Sequence, residues 1–373
     1  MESAVVIGGG ITGFSIAYNL AKRGIKTTLL EKKYPSSGST GRCSGGIRNQ
    51  WSREHEIKLA RESIKILEKL SAELNFNILF RQGGHIILAE DEKSMKNLIK
   101  DTETQRVANV RTKILNQDQI KRMLPFIDIT KIVGGTLNRK EGVCHPFSLL
   151  YGYQHGFKKL GGKVLKFTKA EKLDIRNSEV KGVKTNKNTF EADFVVVAAG
   201  AYSKELLKTI GINIQSKVLK TEILATEPLK FFIKPMVFCK PSMLFFNQTI
   251  RGEVIGGASE PSNEGYNLDS SLEFLRTFSK KLRRIAPPLR RVKVLRSWAG
   301  LQEFSPDESP IYGKTEIQNL YVACADSGKA FTFAPKIGEY FAELIIEGQT
   351  SWDMTPFSLK RFEKKKKQKH FYK

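Results

Sequence analysis

The stretch Val5-Val6-Ile7-Gly8-Gly9-Gly10-Ile11-Thr12-Gly13, with the acid Glu31 closing the next apolar run Thr27-Thr28-Leu29-Leu30, constrains this chain more than any other feature. Ala4 to Ile7 is short and apolar enough for a buried strand. Gly8 then makes a tight turn, Gly10 lets the backbone approach a pyrophosphate, and Gly13 permits close packing of helix on sheet. Ile16, Ala17 and Leu20 share one face of the helix that follows, and Gly24 closes it. A phosphate belongs at that helix N-terminus, where unpaired N–H groups and the helix dipole favour negative charge. Glu31 stands where an acid takes ribose hydroxyls, and its carboxylate would repel a 2′-phosphate. The unit therefore reads as a βαβ dinucleotide cradle. These residues leave the dinucleotide open, although their position at the start of the sequence leans towards FAD.

The 373 residues, 40% of them apolar, suffice for one large or two medium domains with a real core. No apolar run reaches the length that spans a bilayer, and no basic leader precedes the first strand, so secretion is not expected. Cys43, Cys144, Cys239 and Cys324 are scattered without CxxC or CxxH spacing. That argues against a disulfide framework or a metal site and for a reducing, cytoplasmic setting. The formal charge of +24 could mark an acidic partner or an anionic substrate. Much of it alternates with Glu on helix faces such as 58–69, as solvated surface does. The concentrated part is the tail, with Lys360, Arg361, Lys364 to Lys367, Lys369 and Lys373. It reads as a solvated tail at 361–373 with scope for peripheral membrane contact; nucleic acid is the disfavoured partner.

Along the chain, residues 32–51 carry four glycines without clean periodicity and read as a loop beside the cradle. Helices are expected over 53–74, 91–107, 118–124, 147–160 and 268–285, and a final one beginning at Pro335 and running to Gly348. Phe194 to Gly200 is an apolar strand ending in small residues, suited to the centre of a parallel sheet and to a flat ligand. Residues 214–258 alternate as antiparallel β. The expected fold class is α/β: a Rossmann-like FAD-binding domain (1–80, 140–213 and 305–360) interleaved with an α+β substrate domain (81–139 and 214–304) on a mainly antiparallel sheet.

Taken in order, the fingerprint, the loop Ser39-Thr40-Gly41-Arg42-Cys43-Ser44-Gly45-Gly46-Ile47-Arg48, the strand end Ala198-Ala199-Gly200 and the closing motifs Trp298-Ala299-Gly300-Leu301, Pro306-Asp307, Pro310-Ile311 and Ser327-Gly328-Lys329-Ala330-Phe331 resemble the flavoprotein amine oxidoreductases. That family includes D-amino-acid oxidase, glycine oxidase, sarcosine oxidase and proline dehydrogenase, and the likeness is nearest to the β-type subunits of the last two. The resemblance implies that Gly8, Gly10, Ile11, Thr12, Gly13, Glu31 and Lys32 hold the ADP half of FAD. Arg42, Cys43, Ser44 and Gly45 would approach the flavin or pyrophosphate, Ala170 the adenine, and Ala199, Gly200 and Gly300 the rest of the cofactor. Gly328, Lys329, Ala330, Phe331 and Thr332 would lie beside the flavin ring. Departures matter too. Gly300 stands where covalent members carry a cysteine, which implies non-covalent FAD. Thr332 stands for a lysine that clamps the substrate carboxylate, leaving Arg48 or Lys329 as the catalytic cation, and Val254 stands for a lysine associated with oxygen reactivity.

The implied reaction removes a hydride equivalent from the carbon beside nitrogen of a secondary or α-amino acid, proline or sarcosine/glycine-like, and passes it to flavin N5. An imine results, and the electrons go to an acceptor other than dioxygen: a quinone, a dye-like molecule or a protein carrier. Arg offers the fork that would orient the carboxylate of a small amino-acid substrate. Trp51 and Trp298 read as packing, and His85, His145 and His155 as structural. Two alternatives stay open: a flavoprotein acting on tRNA or another nucleic acid, and a β-type subunit active only within a hetero-oligomer, with FMN at a subunit interface.

Overall fold

The computed structural model describes residues 2–258 and 264–362. Its helices are α1 (Ile11–Lys22), α2 (Glu54–Glu73), α3 (Glu92–Val107), α4 (Gln117–Met123), α5 (Pro146–Lys159), α6 (Ser203–Lys208), α7 (Leu272–Ile285) and α8 (Ala330–Ile346). Several starts are written locally. Asp91 accepts from the Ser94 amide ahead of α3, Asn116 and Gln119 form a capping box on α4, and Ser271 caps α7 through the Phe274 amide. That last cap explains why α7 begins at Leu272, later than its apolar pattern suggests.

The first strand, Ser3–Ile7, sits inside a six-stranded sheet ordered Ile311–Lys314, Leu320–Cys324, Phe194–Val197, Ser3–Ile7, Lys26–Leu30, Lys163–Leu165. Its pairings are parallel apart from the outermost, between Ile311–Lys314 and Leu320–Cys324. Both faces are covered, as an apolar strand such as Val195-Val196-Val197 requires. Val6 and Val196 join the core that holds α1, α2, α5 and α8, whereas Val5, Val195 and Val197 join the core over Leu173, Val183 and Leu207.

A second, eight-stranded sheet runs Val294–Phe304, Lys217–Pro228, Glu253–Ala258, Leu244–Gln248, Met236–Lys240, His85–Ala89, Gly134–Asn138, Lys113–Leu115. It is antiparallel except where Met236–Lys240 meets His85–Ala89, the seam between two distant chain segments. Alternation gives it two apolar faces. Leu224, Val237, Phe246 and Val254 pack with α7, while Ile87, Met236, Phe238, Phe245, Ile255 and Trp298 form the opposite face with Leu98 of α3. The fold is the expected interleaved α/β class.

Three local expectations are corrected here. Helix α8 starts at Ala330, so Pro335 lies inside it and not at its first position. Proline leaves the Phe331 carbonyl without its usual helical donor, and Ser63 of α2 bonds the ladder on either side of Pro335, donating to the Phe333 carbonyl at 3.1 Å and accepting from the Lys336 amide at 3.3 Å. Arg361 is no part of a free tail: its guanidinium forks onto Asp307, with both contacts at 3.0 Å. The rest of the basic tail, 363–373, lies outside the described residues. Finally, Val254 is buried against α7, on the sheet face turned away from Met236 and Phe238. A one-residue step along a strand reverses the face, and counting along sequence could not fix that parity.

Candidate active site

At the carboxyl ends of Ser3–Ile7 and Lys26–Leu30, the glycine turn is forced by its neighbours. Gly8 has φ +119°, and a Cβ there would lie 2.3 Å from the Ala198 carbonyl oxygen; one on Gly13 would lie 2.0 Å from the Gly8 carbonyl oxygen. Glu31, just past its strand, accepts from the Gly9 amide at 2.8 Å and the Lys33 amide at 2.7 Å. A carboxylate has lone pairs beyond those two bonds, so Glu31 can still accept from a hydroxyl. Among the described residues no side chain caps α1 at Gly10, and of its first-turn amides only that of Ile11 is taken up, by Thr40 Oγ1 at 3.0 Å. Ser36 Oγ is buried beside this turn and finds no partner among the described residues. Uncapped amides, a hydroxyl in want of a partner and an acid at the ribose position fit a dinucleotide.

Other expected nucleotide contacts gather nearby. Thr168 donates its amide to the Glu31 carbonyl at 2.9 Å, which brings the start of the strand Ala170–Arg176 to this corner. Ala199 and Gly200 follow Phe194–Val197, whose next amide, on Ala198, bonds the Ile7 carbonyl. Lys32 lies over the Tyr202 ring, 2.8 Å from its centroid, and burial draws its ammonium below the ordinary value.

The loop 39–50 runs from this corner towards the large sheet and is stitched to Val294–Phe304. Ser39 Oγ donates to the Leu301 carbonyl at 2.6 Å, Arg42 Nη1 donates to the Ala299 carbonyl at 2.8 Å, and Trp298 Nε1 donates to the Arg42 carbonyl at 3.1 Å. Gly300 sits against Arg42 in the same seam. Burial pushes the Cys43 thiol up to about 12, so it is an inert, protonated neighbour. The Ser44 carbonyl accepts from Asn247 Nδ2, and Gly45 lies against Cys144.

Arg48 and Lys329 meet at Trp51. Arg48 stacks on the indole with Cζ 3.6 Å from the ring centroid, and Lys329 Nζ lies 5.2 Å from the same point. The Arg48 amide donates to Thr332 Oγ1 at 3.2 Å, tying the loop to the first turn of α8. Its guanidinium makes no hydrogen bond or ion pair with any described residue, and burial lowers it to about 10, still a cation at neutral pH. Lys329 is the opposite case. Its ammonium pairs with Glu56 at 3.2 Å and donates to the Glu308 carbonyl, while burial lowers its pKa against the pull of Glu56. The backbone of Lys329 starts α8 without a side-chain cap, so the first-turn amides at Ala330 and Phe331 point out beside Gly328.

Beneath Arg48 lies a buried polar network that sequence reasoning missed. Glu141 accepts from the Asn49 and Gln50 amides at 2.7 Å each, from Gln50 Nε2 at 2.8 Å, and pairs with His85 Nδ1 at 3.1 Å. Burial lowers the His85 pKa against that partner. The network fixes the backbone on which Arg48 stands. No spacing rule links Glu141 to Asn49; only the pairing of distant segments brings them together. Among the described residues no group of His, Cys, Asp or Glu could hold a metal ion, and no helix is long and apolar enough to cross a membrane.

Residues 3–344 match the family described as FAD dependent oxidoreductase. The sarcosine oxidase subunit beta of Rhizobium meliloti is 28% identical over 368 residues, which cover 96% of this chain and 88% of that one. The subunit of the same name from Rhodobacter capsulatus is 26% identical over 365 residues, with the same coverage, 96% and 88%. Among solved structures, L-proline dehydrogenase from P. horikoshii superposes with a TM-score of 0.94 at 34% identity, covering 97% of this chain and 98% of the other.

Proposed function

This chain belongs to the FAD-dependent oxidoreductase family and is an enzyme, and on that premise we propose that it oxidises a secondary or α-amino acid of the proline or sarcosine/glycine type to an imine. Relatives named sarcosine oxidase and proline dehydrogenase support the amino-acid class. The observation that carries the reading is Arg48: a half-buried cation, stacked on Trp51, tied to α8 and lacking an acceptor. A substrate carboxylate supplies one.

In this reading FAD is held without a covalent link, since Gly300 offers no thiol and the Cys43 thiol stays protonated. The Gly8 to Gly13 turn with Ile11 and Thr12 would take the pyrophosphate, Glu31 the ribose, and the segment reaching Ala170 the adenine. Arg42 to Gly45, Ala199, Gly200 and the Gly328 to Thr332 turn would enclose the remainder. When bound, the flavin supplies the two-electron acceptor for the hydride equivalent. The protein does the rest. Arg48 fixes the carboxylate and so the face of the α-carbon that is presented, Trp51 walls the pocket, and the α8 amides favour negative charge at that end of the cofactor. Lys329 serves through its backbone and by holding Glu56. An acceptor other than dioxygen remains part of the proposal, because Val254 and its neighbour Ile255, which shares the face of Met236 and Phe238, are both aliphatic where the resemblance looks for a lysine.

The test is anaerobic. Purified protein loaded with FAD should be yellow, and one of a panel of proline, sarcosine and glycine-like amines should bleach it; failure to take up FAD, or a flavin that no amine reduces, overturns the reading. Slow reoxidation by air with fast reoxidation by a quinone or dye is the expected acceptor result. A second reading rests on the relatives named as β subunits: activity, and an FMN at an interface, could require partner subunits. In that case the isolated chain would bind FAD and stay oxidised until its partners are added.

A further inference from the structure

We propose that Lys240 is a second anion-binding side chain of the substrate pocket, so that the preferred substrates carry a further carboxylate beyond the one held by Arg48. The inference rests on the amino-acid reading above and, within secondary and α-amino acids, favours those with a side-chain carboxylate at about glutamate length over proline, sarcosine or glycine themselves.

The strand Met236–Lys240 sets the geometry. Its alternate residues Met236, Phe238 and Lys240 share the face opposite α7. Met236 abuts the cofactor-side loop so closely that a Cβ on Gly46 would lie 2.5 Å from its sulfur. Phe238 comes next, with the Arg48 Cζ 5.8 Å from its ring centroid. Lys240 follows on the same face, a further ~7 Å along the strand. The pocket wall thus reads outward from the loop as thioether, ring under Arg48, then ammonium.

Helix α3 closes the outer end. Met95 and Leu98 pack on this face of the sheet; Asp101 lies one turn beyond Leu98, and Gln105 one turn further donates to the Trp51 carbonyl at 3.1 Å. Asp101 and Lys240 therefore look into one space, between α3 and the sheet. Burial lowers the Lys240 pKa, with Arg48 pushing the same way and Asp101 opposing; burial raises the Asp101 carboxyl.

None of Arg48, Lys240 and Asp101 has a side-chain hydrogen bond or ion pair with a described residue. The buried Gln105 Oε1 and His85 Nε2, on the flanking elements, also lack partners. Two buried and three half-buried side chains with unpartnered polar atoms, gathered around one space, mark a place that a ligand would complete. In this space Arg48 and Lys240 face the one carboxylate of Asp101, Glu141 beneath Arg48 being already engaged by the Asn49 and Gln50 amides and His85. A single carboxylate on Arg48 would leave Lys240 uncompensated, whereas a dianion satisfies both.

Glutarate and butyrate test this on the full-length, FAD-loaded protein, because neither has an amine to oxidise. Their binding is read by calorimetry and by perturbation of the flavin absorption spectrum. Glutarate should bind about tenfold more tightly than butyrate. Lys240→Met should erase that advantage while leaving butyrate binding unchanged, Lys240→Arg should keep it, and Asp101→Asn should widen it. Equal affinity for the two ligands in the wild type, or a Lys240→Met variant that weakens both alike, overturns the proposal. These readouts need no turnover. A glutarate preference in a protein whose flavin no amine reduces would support the second cation and sink the oxidation reading; reduction by proline with no glutarate preference would do the reverse.

Discussion

Two cations, Lys329 buried and Arg48 half-buried, share one indole and have opposite fates. Lys329 is satisfied on every side: Glu56 at 3.2 Å and the Glu308 carbonyl hold its ammonium, and Ser309 Oγ donates to Glu56 at 2.7 Å. Arg48, 3.6 Å from the Trp51 centroid, has an aromatic face to lie on and no hydrogen-bonded or ion-paired anion among the described residues. A cation with its partners built in belongs to the fold, and its removal leaves a buried carboxylate. One without them costs the fold something and is worth keeping only for a ligand. The sequence offered both as candidate clamps; their surroundings divide the roles.

The largest effect should come from the satisfied member. Lys329→Met should lower the unfolding free energy in urea by about 3 kcal/mol, because Glu56 stays buried with its charge partner gone. Adding Glu56→Gln should recover much of that loss, which a merely steric defect would not show. Arg48→Met should do the contrary: stability unchanged or slightly raised, but kcat/KM for the amino acid down about 100-fold, carried mostly by KM. If Arg48→Met unfolds the protein, or Lys329→Met reacts normally but binds its amine poorly, the division of roles is wrong.

The same contrast separates what could be read in the sequence from what could not. Gly13 and Glu31 were legible because their contacts are local: each meets atoms of the same βαβ unit, as the 2.0 Å approach of a Gly13 Cβ to the Gly8 carbonyl shows, whereas the Gly8 turn is also closed by Ala198 from a distant strand. The continuous apolar run of Ser3–Ile7 and the late antiparallel strands were legible for the same reason. Lys240, Asp101 and Glu141 were not, since strand parity and helix facing become defined only when distant segments pair across the Met236–Lys240 and His85–Ala89 seam. Pro335 misled because a rule for helix starts was applied where Ser63, from another helix, changes its premise. Gly13→Ala tests the local half. It should weaken FAD binding about 30-fold through overpacking, with the carboxylate preference of any remaining holoenzyme unchanged.

Behind the turn that carries Lys329, two buried carboxyls give the smallest effect and the sharpest sign. Glu303 accepts from Ser216 Oγ at 2.7 Å and the Ala325 amide at 2.9 Å, yet burial pushes it up to about 7; burial likewise pushes Asp326 up to about 6. An acid raised in the folded state is ionised first in the unfolded chain. As pH climbs from about 4.5 the unfolded chain therefore releases its proton while the native state keeps it, and stability falls until the native group ionises near pH 7, then levels. Glu303→Gln removes that slope. Measured in urea, the variant should gain on the order of 1 kcal/mol over wild type at pH 8 and nothing at pH 5, the gain being limited because the Ser216 and Ala325 bonds weaken without a charge. A gain at pH 5, or a loss at pH 8, would mean that the Glu303 carboxylate is supported as fully as Lys329 is, and that the buried charges on this side of Trp51 are all compensated within the fold.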